Sequence, residues 1–298
     1  MVCNMPTGVQ GIDLKEVVIM DIVDIKKDNV EDFEDLLGAD ISDDMGRNFY
    51  RGLGAIDESG KAHGALIFTL KNADNDEATT SRIVLFSWDS AEVRDMLSNE
   101  YHESVSEHEI VNTAYETEDS ELAGFLESIG FDKTAIESPQ ITVTVEDLKK
   151  IPVNLGAKLP PYVHSLSEIS VIQFRSAVKN FIVKGTKGSV DDLAYLPLKW
   201  FERDVSACTI ADDKVNGMFM IRKTPSGELH PVLYTAFGPE YVKNLGMMLV
   251  FTASRVIQSY PPETVIRINR HSKQVLAFTA KMLGGFKGNS VFAGNRDE

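Results

Sequence analysis

One order of elements occurs twice in this 298-residue chain, and the landmarks of the two passes stay nearly in step. Gly64 and Gly217, 153 residues apart, open matching strands, and Gly130-Phe131 and Gly285-Phe286, 155 residues apart, close matching helices. Order and spacing together suggest a duplication. The length agrees, since domains run to ~100–200 residues. We therefore expect two units, at residues 1–150 and 151–298, with a Pro- and Gly-containing linker near 149–165 (Pro152, Gly156, Pro160, Pro161).

In the first unit, a strand is expected at 17–23. A helix follows, with Val30, Phe33 and Leu37 at 3–4 spacing. The runs 50–56 and 64–70 flank the turn Asp57-Glu58-Ser59-Gly60 and predict a hairpin. After a polar loop at 72–80 come a strand at 82–87 and a helix capped by Asp89 or Ser90, with Val93, Met96 and Leu97 inward. A strand at 109–114, a helix carrying Leu122, Phe125, Leu126 and Ile129, and a strand at 141–145 complete the unit.

The second unit repeats this order. It has a helix at 169–183, a hairpin of strands at 206–210 and 217–221, and a strand at 231–237. A long helix with Leu245, Met248, Leu249, Thr252, Ala253, Val256 and Ile257 on one stripe comes next. A strand at 264–269 and a helix at 272–283 follow it. The fold class expected is α/β (α+β): two tandem domains, each a mixed, mostly antiparallel sheet flanked by helices.

Charge separates the halves. Residues 1–150 carry 12 basic and 33 acidic residues, a balance of −21, whereas the remainder balances at +6. Phosphates are repelled by the first half and tolerated by the second. Nucleic acid is not an expected partner, because phosphate neutralisation dominates such affinity. No apolar run reaches the ~18 residues of a membrane span, and the N-terminus lacks a secretory pattern. Two cysteines, Cys3 and Cys208, make neither a disulfide framework nor a zinc site, so a cytoplasmic setting is expected.

The segment Gly238-Pro239-Glu240-Tyr241-Val242-Lys243-Asn244-Leu245-Gly246, running into an aliphatic helix, resembles the pyrophosphate loop of the GCN5-related N-acetyltransferases (GNAT). It is one residue shorter than that pattern and keeps one of its clustered glycines. Val265 to Asn269 and the helix after it resemble the family's next strand and helix. Phe125 to Phe131, and the hairpin from Gly54 to Leu66, resemble family elements in the first half. The resemblance implies tandem GNAT-like domains and an N-acetyltransferase that takes acetyl-CoA as co-substrate and an unidentified small-molecule or peptide amine as acceptor. It places the cofactor in the C-terminal copy, on Thr235, Ala236, Phe237, Gly238, Lys243, Asn244, Leu245, Gly246 and Asn269. The physical warrant is that the first amides of a helix lack partners and carry the positive end of its dipole. The matching first-half loop, Ser87 to Glu92, holds two carboxylates and no glycine, which opposes phosphate.

Acetyl transfer needs a deprotonated amine, a polarised carbonyl and a protonated leaving thiolate. Many family members use a Tyr acid on the last helix; the corresponding positions here are Leu126 in one copy and Ala280-Lys281 in the other. Candidate catalytic groups are His230 and Tyr234, with His271 and Tyr241 behind them. Tyr234 also reads as a core ring with a satisfied hydroxyl. The run Gly185 to Ser189 lacks phosphate-loop spacing, and His102 and His108 among glutamates read as a solvated face. A non-catalytic tandem ligand- or partner-binding protein is the alternative.

Overall fold

A computed structural model describes residues 19–47, 49–71, 80–137, 139–183, 193, 196–270, 273–286 and 288–297. Cys3, the run 185–189 and His271 lie outside the described residues. Along the first half come β1 (Met20–Ile25), a 3-10 turn leading into α1 (Glu34–Asp44), β2 (Tyr50–Asp57), β3 (Ala62–Lys71) and β4 (Thr80–Trp88). Then follow α2 (Ala91–Glu107), β5 (Asn112–Thr117), α3 (Ser120–Ser128), β6 (Thr134–Glu137), β7 (Gln140–Thr144) and the single turn α4 (Val145–Leu148). The second half holds β8 (Val163–Ser165), α5 (Val171–Val183), β9 (Ala207–Ala211), β10 (Lys214–Lys223) and β11 (Leu229–Ala236). It ends with α6 (Tyr241–Ser259), β12 (Val265–Asn269), α7 (Lys273–Met282) and β13 (Ser290–Asp297).

The strands form two sheets, ordered β1-β2-β3-β4-β5-β13-β6 and β7-β12-β11-β10-β9-β8. The mixed, mostly antiparallel architecture expected from the sequence is present, with β4–β5 and β11–β12 as the parallel pairs. Each sheet is covered on both faces. In the first, α2 and α3 pack on one side through Val93, Leu97, Tyr101, Leu122 and Leu126, and Phe33 and Leu37 close the other. In the second, α6 brings Met248, Leu249 and Val256 to one face, and α5 brings Phe174, Val178 and Phe181 to the other. The duplication has a packing signature. A Cβ on Gly64 would meet Val93 of α2 at 2.5 Å, and one on Gly217 would meet Met248 of α6 at 3.0 Å. Each glycine lets the central helix settle onto its sheet.

The two halves exchange strands. β7, from the first half, pairs antiparallel with β12 at five positions. β13, the last strand of the chain, lies between β5 and β6, paired with six residues of one and four of the other. Gly294 makes that insertion possible: a Cβ there would fall 1.6 Å from the Asp132 carbonyl oxygen and 2.7 Å from the Tyr115 ring. Two sequence boundaries shift as well. β5 begins three residues later than expected, because α2 runs to Glu107 and Glu109 turns back at φ 51°. Part of the expected linker is a strand, β8, paired with β9.

The halves also meet through side chains. Arg222, at the end of β10, is buried to 5% exposure and reaches across to Asp43 (2.5 Å) and Asp44 (2.7 Å) on α1. Its guanidinium lies 4.1 Å over the Trp200 ring. Beside it, Asp40 accepts from the Ser226 amide (2.9 Å) and hydroxyl (2.8 Å).

Candidate active site

In the second sheet, β11 and β12 are joined by the single pair Leu229–Ile266, after which they diverge. Pro231 contributes to this opening. It has no N–H to donate, and it faces a register slip in β10 between Met220 and Ile221. Past that point Thr235 and Ala236 pair only with β10, opposite Met218 and Gly217, and the Phe237 amide donates to the Asn216 carbonyl (2.8 Å). The edge of β11 that faces β12 is left without a ladder.

The chain then turns through Gly238 at φ +97°, a conformation L side chains rarely adopt, and enters α6. The Tyr241 amide returns to the Gly238 carbonyl (3.2 Å) and the Asn244 amide to that of Glu240 (3.0 Å). No side chain caps this end, and the amides of Val242 and Lys243 have no hydrogen-bond partner among the described residues. Lys243 stands exposed beside them, 3.3 Å from the exposed Glu240. The helix thus starts earlier than the loop pattern suggested. Asn244, Leu245 and Gly246 lie within the helix, with Asn244 buried to 5%, and the open amides are those just before them.

Tyr234 points into the core, between the rings of Phe219 (4.4 Å) and Phe278 (5.3 Å), and its hydroxyl donates to the Leu245 carbonyl at 2.8 Å. Burial pushes its pKa well above the ordinary tyrosine value. In this position it pins α6 to β11. Tyr234→Phe should cost about 1 kcal/mol of stability, the net worth of one hydrogen bond. A loss of several kcal/mol in chemical denaturation would contradict that role.

His230 sits near the other end of β11, about 17 Å from Thr235 at about 3.4 Å per residue. Its Nε2 is 3.1 Å from Glu228, which also accepts two bonds from Arg267 (2.6 and 2.7 Å). Arg267 reaches Gln140 of β7 (3.2 Å), whose amide donates to Asn269 (2.6 Å). His230 and Asn269 thus belong to a polar network on the β7–β12–β11 surface, separate from the start of α6. Arg267 first, with His230 assisting, draws the Glu228 pKa down to about 2. A depressed carboxylate stabilises the fold above its unfolded pKa and loses that contribution as pH falls through the folded one. We expect about 2 kcal/mol to disappear between about pH 5 and pH 2 from this group. Glu228→Gln should flatten that part of the stability profile in urea titrations.

The corresponding place in the first sheet is built differently. β4 and β5 pair from Thr80–Asn112 to Ile83–Tyr115 and then part. At the start of α2, however, Ser90 Oγ accepts from the Val93 amide (3.3 Å). Asp89 beside it binds His63 Nδ1 (2.6 Å), whose Nε2 reaches Asp57 (3.0 Å). Asp57, then Asp89, raises the His63 pKa, so the imidazolium form is favoured between two carboxylates. An incoming phosphate would meet a filled cap and an extra negative charge. Lys281 is exposed, and His102 faces Arg296 (3.0 Å). Among the described residues, no three His, Cys, Asp or Glu side chains gather as metal ligands, and no helix is long and apolar enough to cross a membrane.

No family model and no curated protein sequence matches the chain. Solved structures do. A tandem GNAT protein from the clavulanic acid biosynthesis pathway superposes with a TM-score of 0.63 at 11% identity, covering 94% of this chain and 98% of that one. The GCN5-related glucosamine N-acetyltransferase region of a fungal multi-domain GH3 β-N-acetylglucosaminidase gives 0.62 at 11% identity, over 94% of this chain and 38% of that one. A GCN5-related N-acetyltransferase from Sphaerobacter thermophilus gives 0.55 at 8% identity, over 93% and 95%. The chain shares the fold of these structures, a mixed α/β sheet flanked by helices. This chain carries that GNAT fold twice, in tandem.

Proposed function

We propose that the protein is an acetyl-CoA-dependent N-acetyltransferase whose C-terminal unit holds the cofactor. The observation that carries this reading is the contrast between the two central helices: the start of α6 is open and the start of α2 is filled. The amides of Val242 and Lys243, with the Lys243 ammonium, would receive the pyrophosphate. Glu240, exposed on the surface, is free to swing away from it. The unladdered edge of β11 at Thr235 and Ala236 would carry the pantetheine arm, and the Ala236 N–H, which faces away from β10, would be offered to the thioester oxygen. Acetyl-CoA supplies an activated acyl group; this chain supplies its orientation and a donor for developing charge. The acceptor is a small-molecule or peptide amine. With Tyr234 occupied by Leu245 and His230 at the far end of β11, no side chain of β11 stands ready as acid or base. The chemistry then rests on positioning, and Tyr234→Phe should keep transfer within about threefold of the parent, well under the 10²–10⁴-fold worth of a general acid.

That same lack of a committed proton donor favours one second reading, a tandem fold that binds acetyl-CoA or a related ligand without turnover. Thermal denaturation of the full chain with acetyl-CoA tests the binding step. At 100 times its Kd a ligand of the native state adds about 2.7 kcal/mol. Lys243→Glu should weaken binding about tenfold, and Ser90→Glu should leave it unchanged. Absence of any shift at millimolar acetyl-CoA would remove the first reading and leave the second only for a different ligand or a partner. A shift without thioester cleavage in the presence of amines would leave the second.

A further inference from the structure

His63, on β3 beside the turn from β2, has a carboxylate at each ring nitrogen. Nδ1 lies 2.6 Å from Asp89 and Nε2 lies 3.0 Å from Asp57. A neutral imidazole carries one N–H, so one of these contacts would set a bare lone pair against an anion. The imidazolium alone donates to both.

The two carboxylates are held differently. Asp57 Oδ1 accepts from the Ser59 amide (2.8 Å) and hydroxyl (2.6 Å) and from the Lys61 amide (3.0 Å), which fixes it in the turn. Ser59 first, then His63, keeps the Asp57 carboxyl well below the usual carboxylate range. Asp89 is 52% exposed and can return to water. Its amide donates to the His63 carbonyl (3.1 Å), and Ser90 after it caps α2, so what holds Asp89 also steadies the first turn of that helix. Other charges around the ring are few. The turn adds Glu58 and Lys61, both exposed, and β1 ends opposite Asp57 with Met20. From α2, Val93 packs at Gly64, Glu92 is exposed, and Arg94 is bound to Asp95 (2.7 Å).

We propose that His63 is a proton-operated latch, which as imidazolium ties the β2–β3 turn to the start of α2 and on deprotonation keeps Asp57 and releases Asp89. Asp57, then Asp89, holds the imidazolium pKa above its ordinary value. The latch is therefore fully closed below the unfolded pKa and opens as pH rises through the folded one. It lies in the first unit and does not rest on the acetyl-CoA reading.

The test is an NMR titration of the full, isotope-labelled chain from about pH 5 to about pH 10. The two tryptophans are built-in reporters: Trp88 pairs with Gly64 beside the latch, and Trp200 lies in the second half. His63 should titrate above the ~6.5 of a free imidazole. The Trp88 indole signal should shift with the same midpoint while that of Trp200 holds still. Exchange protection of the Val93 and Arg94 amides should fall about tenfold across it. Asp89→Asn should bring the His63 midpoint down. In His63→Gln, whose side chain donates from a single nitrogen, protection should be low at every pH. A His63 midpoint at or below that of a free imidazole, an unmoved Trp88 signal, an unchanged midpoint in Asp89→Asn, or parent-like protection in His63→Gln would overturn the proposal.

Discussion

Cut after Lys150, neither half of the chain is expected to fold by itself, although each contains a complete order of helices and strands. The fragment 1–150 lacks β13, which occupies the interior of its sheet. It would expose the ladder edges of β5 and β6 and carry β7 with no partner. The fragment 151–298 would leave the free edge of β12 exposed and hold β13 unpaired. At about 1 kcal/mol net per hydrogen bond, the ladders on the two sides of β13 contribute several kcal/mol. Burial of Val291 and the seat of Gly294 against Asp132 add to that. Total stabilities of domains are only about 5–15 kcal/mol, so the loss is decisive. Near-UV circular dichroism and amide NMR dispersion should show each fragment disordered or collapsed without fixed packing. Mixing the two should restore native signals, because the strands each half needs are carried by the other. A cooperative unfolding transition in isolated 1–150, with the slope expected for its size, would show that the exchange is dispensable.

That expectation marks where sequence reading stopped. The stripe Met248, Leu249, Thr252, Ala253, Val256 was legible because burial on one helix face imposes a 3.6-residue period, and all five residues are buried. Gly64 and Gly217 were legible as a matched pair, since both sit under the central helix of their unit. β13 was not. Its sequence, Ser-Val-Phe-Ala-Gly-Asn-Arg-Asp, is poor in strand-forming residues after Phe292 and has no alternation. What makes it a strand is a slot between β5 and β6, a long-range fact with no local trace. The start of α6 shows the same limit on a smaller scale. Resemblance to the GNAT pyrophosphate loop marked 238–246, but where the helix begins depends on the Gly238 turn, and that moved the open amides to Val242 and Lys243. The pairing of Glu228 with His230 had a readable signal, since the two lie only two positions apart where the chain enters β11. Arg267, which dominates that network, comes from the neighbouring strand and gave none.

Replacing Arg222 with methionine should cost about 3 kcal/mol, in the range for breaking a buried pair from one side. Methionine keeps much of the length and can still lie on Trp200, so packing changes little and the deficit falls on the two carboxylates left behind. They are not equally harmed. Asp43 is 43% exposed and recovers water, whereas Asp44 is 15% exposed, with Arg47 at 3.7 Å as its remaining cation and the Tyr50 hydroxyl at 3.4 Å. Most of the loss should therefore trace to Asp44. Arg222→Lys retains the charge but forfeits the fork that reaches both carboxylates, and should lose roughly half as much. The decisive measurement is a cycle in urea. If the pair acts as argued, Asp44→Asn in the Arg222→Met background should restore more than 1 kcal/mol, because it removes the stranded charge. The slope of the transition should stay that of the parent, since the exchanged strands still tie the units into one cooperative fold. Two separate transitions in Arg222→Met would mean that this contact, and not the exchange of β7 and β13, couples the halves.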